Sequence, residues 1–481
     1  MHFAVILRIT GILLSLFSLA LFLPVIVALI YDEDTIHTFA IAFAITMLSG
    51  LVLFFGSRDK RELRSGDGFF ITVLFYSGLG LFGAIPLYLA EGVHATFTDA
   101  AFESLSGLTT TGATVLSGLD QLPRSILFYR QLLQWLGGMG IIVLAVAVLP
   151  MLGIGGMQLY RAESPGPVKD NKLTPRITET AKALWYLYLG FTILCAAAYW
   201  AAGMTVFDAI CHSFSTVAIG GFSTHDASIG HFQSPAIETV AIIFMVLAGI
   251  NFALHFLAWN RRDPKLYWAD REVRLYLTIL AVVAAVVCFV LIEHPGASDS
   301  PIRDGIFQAV SVATTTGFTT SNFSLWPSAA PVLLLFAAFA GGCAGSTAGG
   351  IKVVRVLLIY LQGMREIRRL IHPNGVFTIK LGLQRVPDRV VDAVWGFFSV
   401  YVIVFLTMVS VIMLIAPLDF TTAFSAVAAC LNNLGPGLGD VALNYASLPE
   451  QAKWLLIVAM MLGRLEIFTL LVLLTPAFWR R

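Results

Sequence analysis

Residues 99–112 read Asp-Ala-Ala-Phe-Glu-Ser-Leu-Ser-Gly-Leu-Thr-Thr-Thr-Gly, and the same frame returns along the chain. Residues 208–221 read Asp-Ala-Ile-Cys-His-Ser-Phe-Ser-Thr-Val-Ala-Ile-Gly-Gly, and residues 304–317 read Asp-Gly-Ile-Phe-Gln-Ala-Val-Ser-Val-Ala-Thr-Thr-Thr-Gly. In all three an Asp stands thirteen residues before a Gly (99 to 112, 208 to 221, 304 to 317), with a helix-compatible stretch between. A fourth copy at 421–437, Thr-Thr-Ala-Phe-Ser-Ala-Val-Ala-Ala-Cys-Leu-Asn-Asn-Leu-Gly-Pro-Gly, is looser. There Thr replaces Asp, and the alignment leaves room for one inserted residue. Self-similarity at a spacing of about 100 residues marks one structural unit used repeatedly.

The setting of these copies is a membrane. Of 481 residues, 58% are hydrophobic and only 12% charged, with mean hydropathy +0.83. A soluble domain carries about 25% charged residues. Apolar runs of 18 or more residues recur from end to end, each long enough to cross ~30 Å of hydrocarbon. The first, residues 12–30, is too long for a signal-peptide core and lacks a small-residue cleavage site, so it reads as a retained helix. A net charge of +1 offers no field for nucleic acid. Cys195, Cys211, Cys288, Cys343 and Cys430 all lie in apolar context, without metal or disulfide spacing.

Charge between the apolar runs is one-sided. Basic clusters occur at Arg58, Lys60, Arg61 and Arg64, and at Arg161, Lys169, Lys172 and Arg176. They return at Arg261, Arg262, Lys265, Arg271 and Arg274, and from Arg365, Arg368 and Arg369 to Arg389. The intervening loops hold acids such as Asp32, Glu33, Asp34, Glu293 and Asp299. The positive-inside rule makes the basic loops and both termini cytoplasmic, which calls for ten crossings. Each later interval is longer than two helices require. The surplus coincides with the repeated segments, and re-entrant chain is tolerated at membrane depth only inside protein or along a water path. The expected fold is therefore an all-α polytopic membrane protein of four membrane–pore–membrane repeats, residues 67–160, 161–262, 263–372 and 373–481, after a two-helix unit at 1–66.

Asp99, Asp208 and Asp304 are placed to N-cap short pore helices. The opposite ends of those helices carry roughly −0.5 charge each and face a common axis, which favours a desolvated cation. The Thr/Gly-rich stretch that follows cannot continue as helix. Its glycine lets carbonyls turn inward, and rings of carbonyls can replace the hydration shell of K⁺. The plainer reading, four extracellular loops with glycine turns, does not account for three matching Asp-to-Gly registers.

These stretches, with Gly341-Gly-Cys-Ala-Gly-Ser-Thr-Ala-Gly-Gly-Ile-Lys352 and Met461-Leu-Gly-Arg464-Leu-Glu-Ile-Phe, resemble the Trk/Ktr/HKT cation transporters over nearly the whole chain. The resemblance is to the membrane subunits of bacterial Trk potassium uptake systems. It implies four units around a pseudo-fourfold pore, a homodimer in the lipid of the cytoplasmic membrane, and a cytoplasmic TrkA-like regulatory partner. A nucleotide (ATP/ADP or NAD) is expected only on that partner, with no cofactor in this chain and K⁺ as the transported ion. The implied filter comprises Thr110, Thr111 and Gly112; Ile219, Gly220 and Gly221; Thr315, Thr316 and Gly317; and Asn433, Leu434 and Gly435. In this family a glycine in every filter stretch goes with K⁺ selectivity and a serine in the first with Na⁺ permeation. Gly221 is preferred to Gly220 because Phe222 then aligns with Phe318.

Residues 332–360 are long enough for one helix, yet Gly341, Gly342, Gly345, Ser346, Thr347, Gly349 and Gly350 interrupt it. A helix-interior glycine costs ~1 kcal/mol, so an irregular loop beneath the filter is expected rather than close helix packing. The resemblance implies that this loop blocks the pore and moves. Arg464 lies in an apolar helix, where a mid-membrane charge costs at least ~2.5–3.5 kcal/mol. It reads as a positive barrier below the filter, bonded to carbonyls of the 341–350 loop, or as a scaffold residue; Glu466 points elsewhere. Asp226 and Asp440, each five residues after a filter glycine, are candidates for concentrating cations at the outer mouth, against a reading as solvated loop acids.

Gly78-Leu-Gly80-Leu-Phe-Gly83 spells a dinucleotide fingerprint but lies in an apolar span without a preceding strand. His212 reads as a packed polar residue, and Gly137-Gly138-Met-Gly140 as helix packing. Arg365, Arg368 and Arg369 fit a partner-docking face or an ordinary basic loop equally. Two function classes remain: a gated, channel-like K⁺ permease, and a secondary transporter coupling K⁺ to H⁺ or Na⁺, for which Glu103 is the tempting carboxylate. No catalytic constellation points to an enzyme.

Overall fold

The computed structural model describes residues 3–56, 65–143, 177–382 and 384–479. The basic clusters at 58–64 and 161–176 and the terminal Arg480 and Arg481 fall outside them. The described chain is helical apart from one short antiparallel pair, Lys380–Leu381 with Gln384–Arg385.

After Phe3–Ala20, Phe22–Tyr31 and Ile36–Gly56, a three-part unit occurs four times. The long outer helices are Ser65–Leu89, Ile177–Ala201, Arg271–Glu293 and Asp388–Ile415. Each leads into a short buried helix: Phe97–Leu108, Val206–Ala218, Pro301–Ala313 and Phe420–Leu431. At 12 or 13 residues these reach only ~20 Å, too short to cross. Small side chains such as Ala100, Ala101, Ala209, Ala309, Ala426 and Ala428 are buried in them, so surrounding helices approach closely. Exposed Leu29, Ile30, Val52, Phe55, Ile193, Trp200, Phe289 and Leu414 form an outer apolar surface of the kind that meets lipid or another protein.

The inner helices depart from expectation. Six described helices are long and apolar enough to cross a membrane, and two bent pairs raise that to eight. The other two expected crossings are Arg124–Val143, which carries Arg130, Gln131 and Gln134, and the interrupted third inner helix. The second inner helix breaks between Pro235–Ala248 and Phe252–Arg261 with a 93° bend, and the fourth between Glu450–Arg464 and Ile467–Leu474 with a 115° bend. Asn251 caps the helix after the first break by accepting from Ala253 N. Glu466 stands at φ 57° in the second. Arg464 is thus the last residue of its helix rather than an interior one.

The glycines of the fingerprint-like stretch lie in a packed helix, and those read as helix packing do pack. A Cβ on Gly80 would strike Leu105, and one on Gly83 would lie 2.6 Å from Ser104 Oγ. A Cβ on Gly137 would meet Leu108 O, at the end of the first short helix.

Candidate functional site: four helix ends around one axis

Each short helix ends in the same strained motif. The N–H one residue before the repeat glycine returns to the carbonyl five residues back: Thr111 to Ser106, Gly220 to Ser215, Thr316 to Ser311 and Leu434 to Ala429, all at 2.8 Å. The preceding N–H bonds three residues back: Thr110 to Gly107, Ile219 to Thr216, Thr315 to Val312 and Asn433 to Cys430. This double closure is a Schellman end, which requires its C′ residue to be left-handed. Thr110, Ile219, Thr315 and Asn433 comply at φ 50°, 54°, 66° and 53°. None is glycine, so Thr110, Ile219 and Thr315 each store ~1–2 kcal/mol and Asn433 less. The repeat glycines follow at φ 79°, 80°, 83° and 99°.

Those glycines form a ring. A Cβ on Gly112 would collide with Gly220 O, one on Gly221 with Thr316 O, and one on Gly317 with Leu434 O. On Gly435 it would lie 2.7 Å from Thr111 O. Each partner carbonyl immediately precedes the next repeat's glycine, and the fourth contact returns to the first repeat. The chain of contacts closes, so the four units surround one axis. The same pattern aligns Gly221, not Gly220, with the other three. The fourth copy has no inserted residue, because Thr422 to Gly435 is again thirteen and its turn bonds match.

Polar groups brace this ring from behind. Thr109 and Thr111 share a 2.7 Å hydroxyl contact, as do Thr314 and Thr316. Gln134 Nε2 donates to Gly220 O at 2.6 Å and its Oε1 accepts from Phe222 N. Tyr445 OH donates to Gly435 O at 2.7 Å, and Asn433 Nδ2 reaches Thr111 Oγ1 at 3.0 Å. Gln134 and Tyr445 were not singled out from the sequence, since a lone amide or phenol in an apolar run carries no motif.

The expected caps require correction. Thr96 and Thr205 are the N-caps of the first two short helices, and Asp99 and Asp208 sit three residues inside. Thr96 and Asp99 form a reciprocal capping box. In the fourth helix the pair is reversed, with Asp419 as cap accepting from Thr422 N. Asp304 lies one position deeper, because Pro301 takes the first helical place. The aspartates also tie down the chain that leaves the ring. Asp208 accepts from Thr224 Oγ1 at 2.8 Å and Asp304 from Thr320 Oγ1 at 3.1 Å, each Thr three residues past its glycine. Asp99 instead receives Lys453 Nζ at 2.7 Å.

Glu103 is fully engaged. Arg130 Nε donates to its Oε1 at 2.7 Å, Val115 N to its Oε2 at 2.9 Å, and Thr114 Oγ1 to both oxygens. His212 is buried with both ring nitrogens bonded, to Asp208 O and Ser223 Oγ. Asp226 and Asp440 are exposed beyond the ring, and their backbone N–H groups point to Asp120 and Thr422.

Residues 341–352 lie between Ala330–Ala340 and Val353–Ile371 as irregular chain, with Gly341, Gly345 and Gly350 at φ 64°, 74° and 73°. Gly342, Ser346, Thr347 and Gly349 complete the stretch in tight quarters. Thr347 Oγ1 donates to Val217 O, Gly349 N to Thr315 Oγ1 at 2.7 Å, and Gly350 N to Asn432 O at 3.0 Å. One loop thus touches the inner ends of the second, third and fourth short helices. Glu272 Oε1 anchors it by accepting from Ala344 N and Val354 N. Arg464 Nη1 donates to Thr347 O at 3.0 Å. Glu466 pairs with Arg355 instead, at 2.8 Å.

Comparison with known proteins agrees with this architecture. The model of the TrkH cation transport protein family matches residues 35–481. The Trk system potassium uptake protein TrkH of Vibrio parahaemolyticus is 57% identical, and that of Escherichia coli strain K12 55% identical, each over the full length of both chains. The crystal structure of the potassium transporter TrkH from Vibrio parahaemolyticus matches at TM-score 0.92 and 53% identity, covering 100% of both chains. A helical membrane chain whose four repeats close into one ring, alike end to end to these transporters, belongs to the TrkH family of cation transport proteins.

Proposed function

We propose that the chain carries K⁺ into the cell across a bacterial cytoplasmic membrane, as the membrane subunit of a Trk system. The ion passes through the ring at Gly112, Gly221, Gly317 and Gly435 after exchanging its hydration shell for backbone carbonyls of the filter residues. The observation that carries this reading is the closed set of contacts from each glycine to the next repeat's carbonyl. Left-handed residues two before each glycine turn carbonyls that a helix would keep parallel to its axis. Four short-helix C-termini add partial negative charge at the same place.

Below the ring, the 341–350 loop and Arg464 act as the gate. The loop is held there by hydrogen bonds to three of the four units, and the guanidinium adds a positive barrier to a cation leaving the filter. Opening must break those bonds. The force is proposed to come from a cytoplasmic TrkA-like subunit that binds ATP/ADP or NAD, with the chain itself a homodimer and both termini cytoplasmic. The names of the relatives, each a potassium uptake protein of a Trk system, support the ion and the multi-component arrangement. Coupling of K⁺ to H⁺ or Na⁺ is less favoured. The one carboxylate suited to proton relay, Glu103, is locked to Arg130 and Val115.

The deciding experiment is K⁺ against Na⁺ flux in liposomes holding the purified chain, wild type beside Gly112→Ser. K⁺-selective flux that turns Na⁺-permeable in the variant supports the filter. Flux indifferent to the substitution, or present only under a proton gradient, favours the coupled transporter.

A further inference from the structure

Where the chain leaves the ring on the face away from Arg464, three side chains from two repeats converge. Asp120 lies eight residues after Gly112, His225 four residues after Gly221, and His231 at the end of the turn Ser228–Phe232. The His225 and His231 rings stack with centroids 3.5 Å apart and planes 2° from parallel. His225 Nδ1 contacts Asp120 Oδ1 directly. One ligand atom from each of the three residues lies within 4.8 Å of the others.

The chemistry of the arrangement fits a metal. Asp208 Oδ1 stands 3.5 Å from His225 Nε2 and is the natural acceptor for a proton there. Second-shell carboxylates fix imidazole tautomers in this way. In that tautomer the Nδ1 lone pair faces the Asp120 carboxylate, which also offers only lone pairs. Two acceptors in contact need a positive species between them: a proton or a divalent ion. The second imidazole, stacked alongside, brings another ring nitrogen within 4.8 Å of these atoms. Two imidazoles and a carboxylate form a ligand set for Zn²⁺ and its borderline neighbours, not for K⁺ or Ca²⁺, which take oxygen. Access is open, because Asp120 and His231 are exposed and His225 and Asp120 line a cavity of about 280 Å³. Arg124 lines that cavity too, but its guanidinium is held 4.2 Å over the Tyr31 ring.

We propose that Asp120, His225 and His231 form a transition-metal site of the Zn²⁺ class, with water completing the coordination. An ion there ties the chain leaving the first ring segment to that leaving the second. Gly230 N bonds Thr319 O at 3.0 Å, and Thr319 N bonds Ser228 Oγ at 3.2 Å, so the tie extends to the third. The site thus staples three of the four exits from the ring.

The test uses full-length, tag-free chain in lipid nanodiscs, titrated with Co²⁺ by visible absorption and then competed with Zn²⁺. One saturable ion per chain is expected, with low-coordinate Co²⁺ bands. Asp120→Asn and His231→Gln, both at exposed positions, should each weaken binding at least about tenfold. His294→Gln, an exposed histidine elsewhere, should leave binding unchanged. Zn²⁺ should also raise the melting temperature of wild type but not of His231→Gln, which separates lost ligation from lost fold. Absence of saturable binding in wild type, or wild-type affinity in both ligand variants, overturns the site.

Discussion

Arg464 closes the first half of the fourth inner helix and donates to Thr347 O, 3.0 Å away, in the loop that breaks the third. The relationship is reciprocal. Arg355, just after that loop, reaches Glu466 in the break of the fourth helix at 2.8 Å, with its guanidinium also 4.2 Å over the Phe397 ring. Each broken helix therefore sends an arginine into the interruption of the other. Neither break can straighten or shift alone without parting a charge from its acceptor.

Removing the first arginine should free the loop. A hydrogen bond from a charged group is worth ~1.5–3 kcal/mol, so Arg464→Ala should raise K⁺ flux by the chain alone about tenfold or more. The positive barrier is lost at the same time, which acts in the same direction. Arg464→Lys keeps the charge and should change flux less. Stopped-flow flux into liposomes at matched protein content measures both, and equal flux in all three proteins would assign Arg464 to scaffold.

Two left-handed glycines should behave in opposite ways. Gly317 stands at φ 83° with Leu434 O in the space a Cβ would need and Pro436 Cδ 2.7 Å from it. Gly118 stands at φ 71° with nothing within 4 Å. Both pay backbone strain of ~1–2 kcal/mol on substitution by alanine, but only Gly317→Ala pushes two ring segments apart. Gly317→Ala should lose K⁺ over Na⁺ discrimination, while Gly118→Ala keeps it. Bi-ionic reversal potentials or paired isotope fluxes distinguish them.

These contrasts show what could be read beforehand. The thirteen-residue register was legible because it has two physical ends: a polar residue in the first turn of a short helix, and a glycine at positive φ. Spacing alone makes the aspartates caps, yet Asp99 and Asp208 stand three residues inside Thr96 and Thr205, and Asp304 four inside Ser300. The fourth copy looked irregular because the same two residue types exchange places at 419 and 422. The loop at 341–350 announced itself by clustered glycines. The break at Leu465 and Glu466 has neither glycine nor proline, and tertiary contacts such as Arg355 to Glu466 supply what local sequence does not. The Asp120, His225 and His231 cluster carries no sequence signal because Asp120 lies 105 positions before His225, in another repeat.

The buried pair Glu103–Arg130 should prove structural. Breaking such a pair by removing one partner costs ~3–5 kcal/mol, because the other charge is left buried and uncompensated. Glu103→Gln should therefore lower the melting temperature of the detergent-solubilised chain. Glu103→Gln with Arg130→Gln should recover part of the loss. A Glu103→Gln protein with native stability but abolished pH response of flux would revive the proton-coupled reading.

The reversed cap has its own signature. Hydrogen bonds from Thr422, side chain first and then backbone, hold the Asp419 carboxyl below its ordinary value. A lowered folded-state pKa stabilises above the unfolded value, about 3.9, and the contribution fades as pH falls through the folded one. Asp419→Ala should cost about 1 kcal/mol near neutrality and Asp419→Asn much less. The gap between wild type and Asp419→Ala should narrow below about pH 4, in melts recorded across that range.

The reciprocal ties predict a coupling that neither tie predicts alone. Suppose the third-helix loop and the fourth-helix break move as one body. Then Arg464→Ala already releases the element that Glu466 helps to hold, and adding Glu466→Gln should gain little further flux. Directly coupled residues show interaction energies of roughly 0.5–3 kcal/mol. Glu466 is 42% exposed, so solvent weakens its pair and the coupling should fall toward the lower end. In flux terms the double variant should lie below the product of the two single effects by a few-fold. Strict multiplication of the two effects would mean that the breaks open independently. The loop would then be a gate in its own right, and the bend at Glu466 only the shape of the fourth helix.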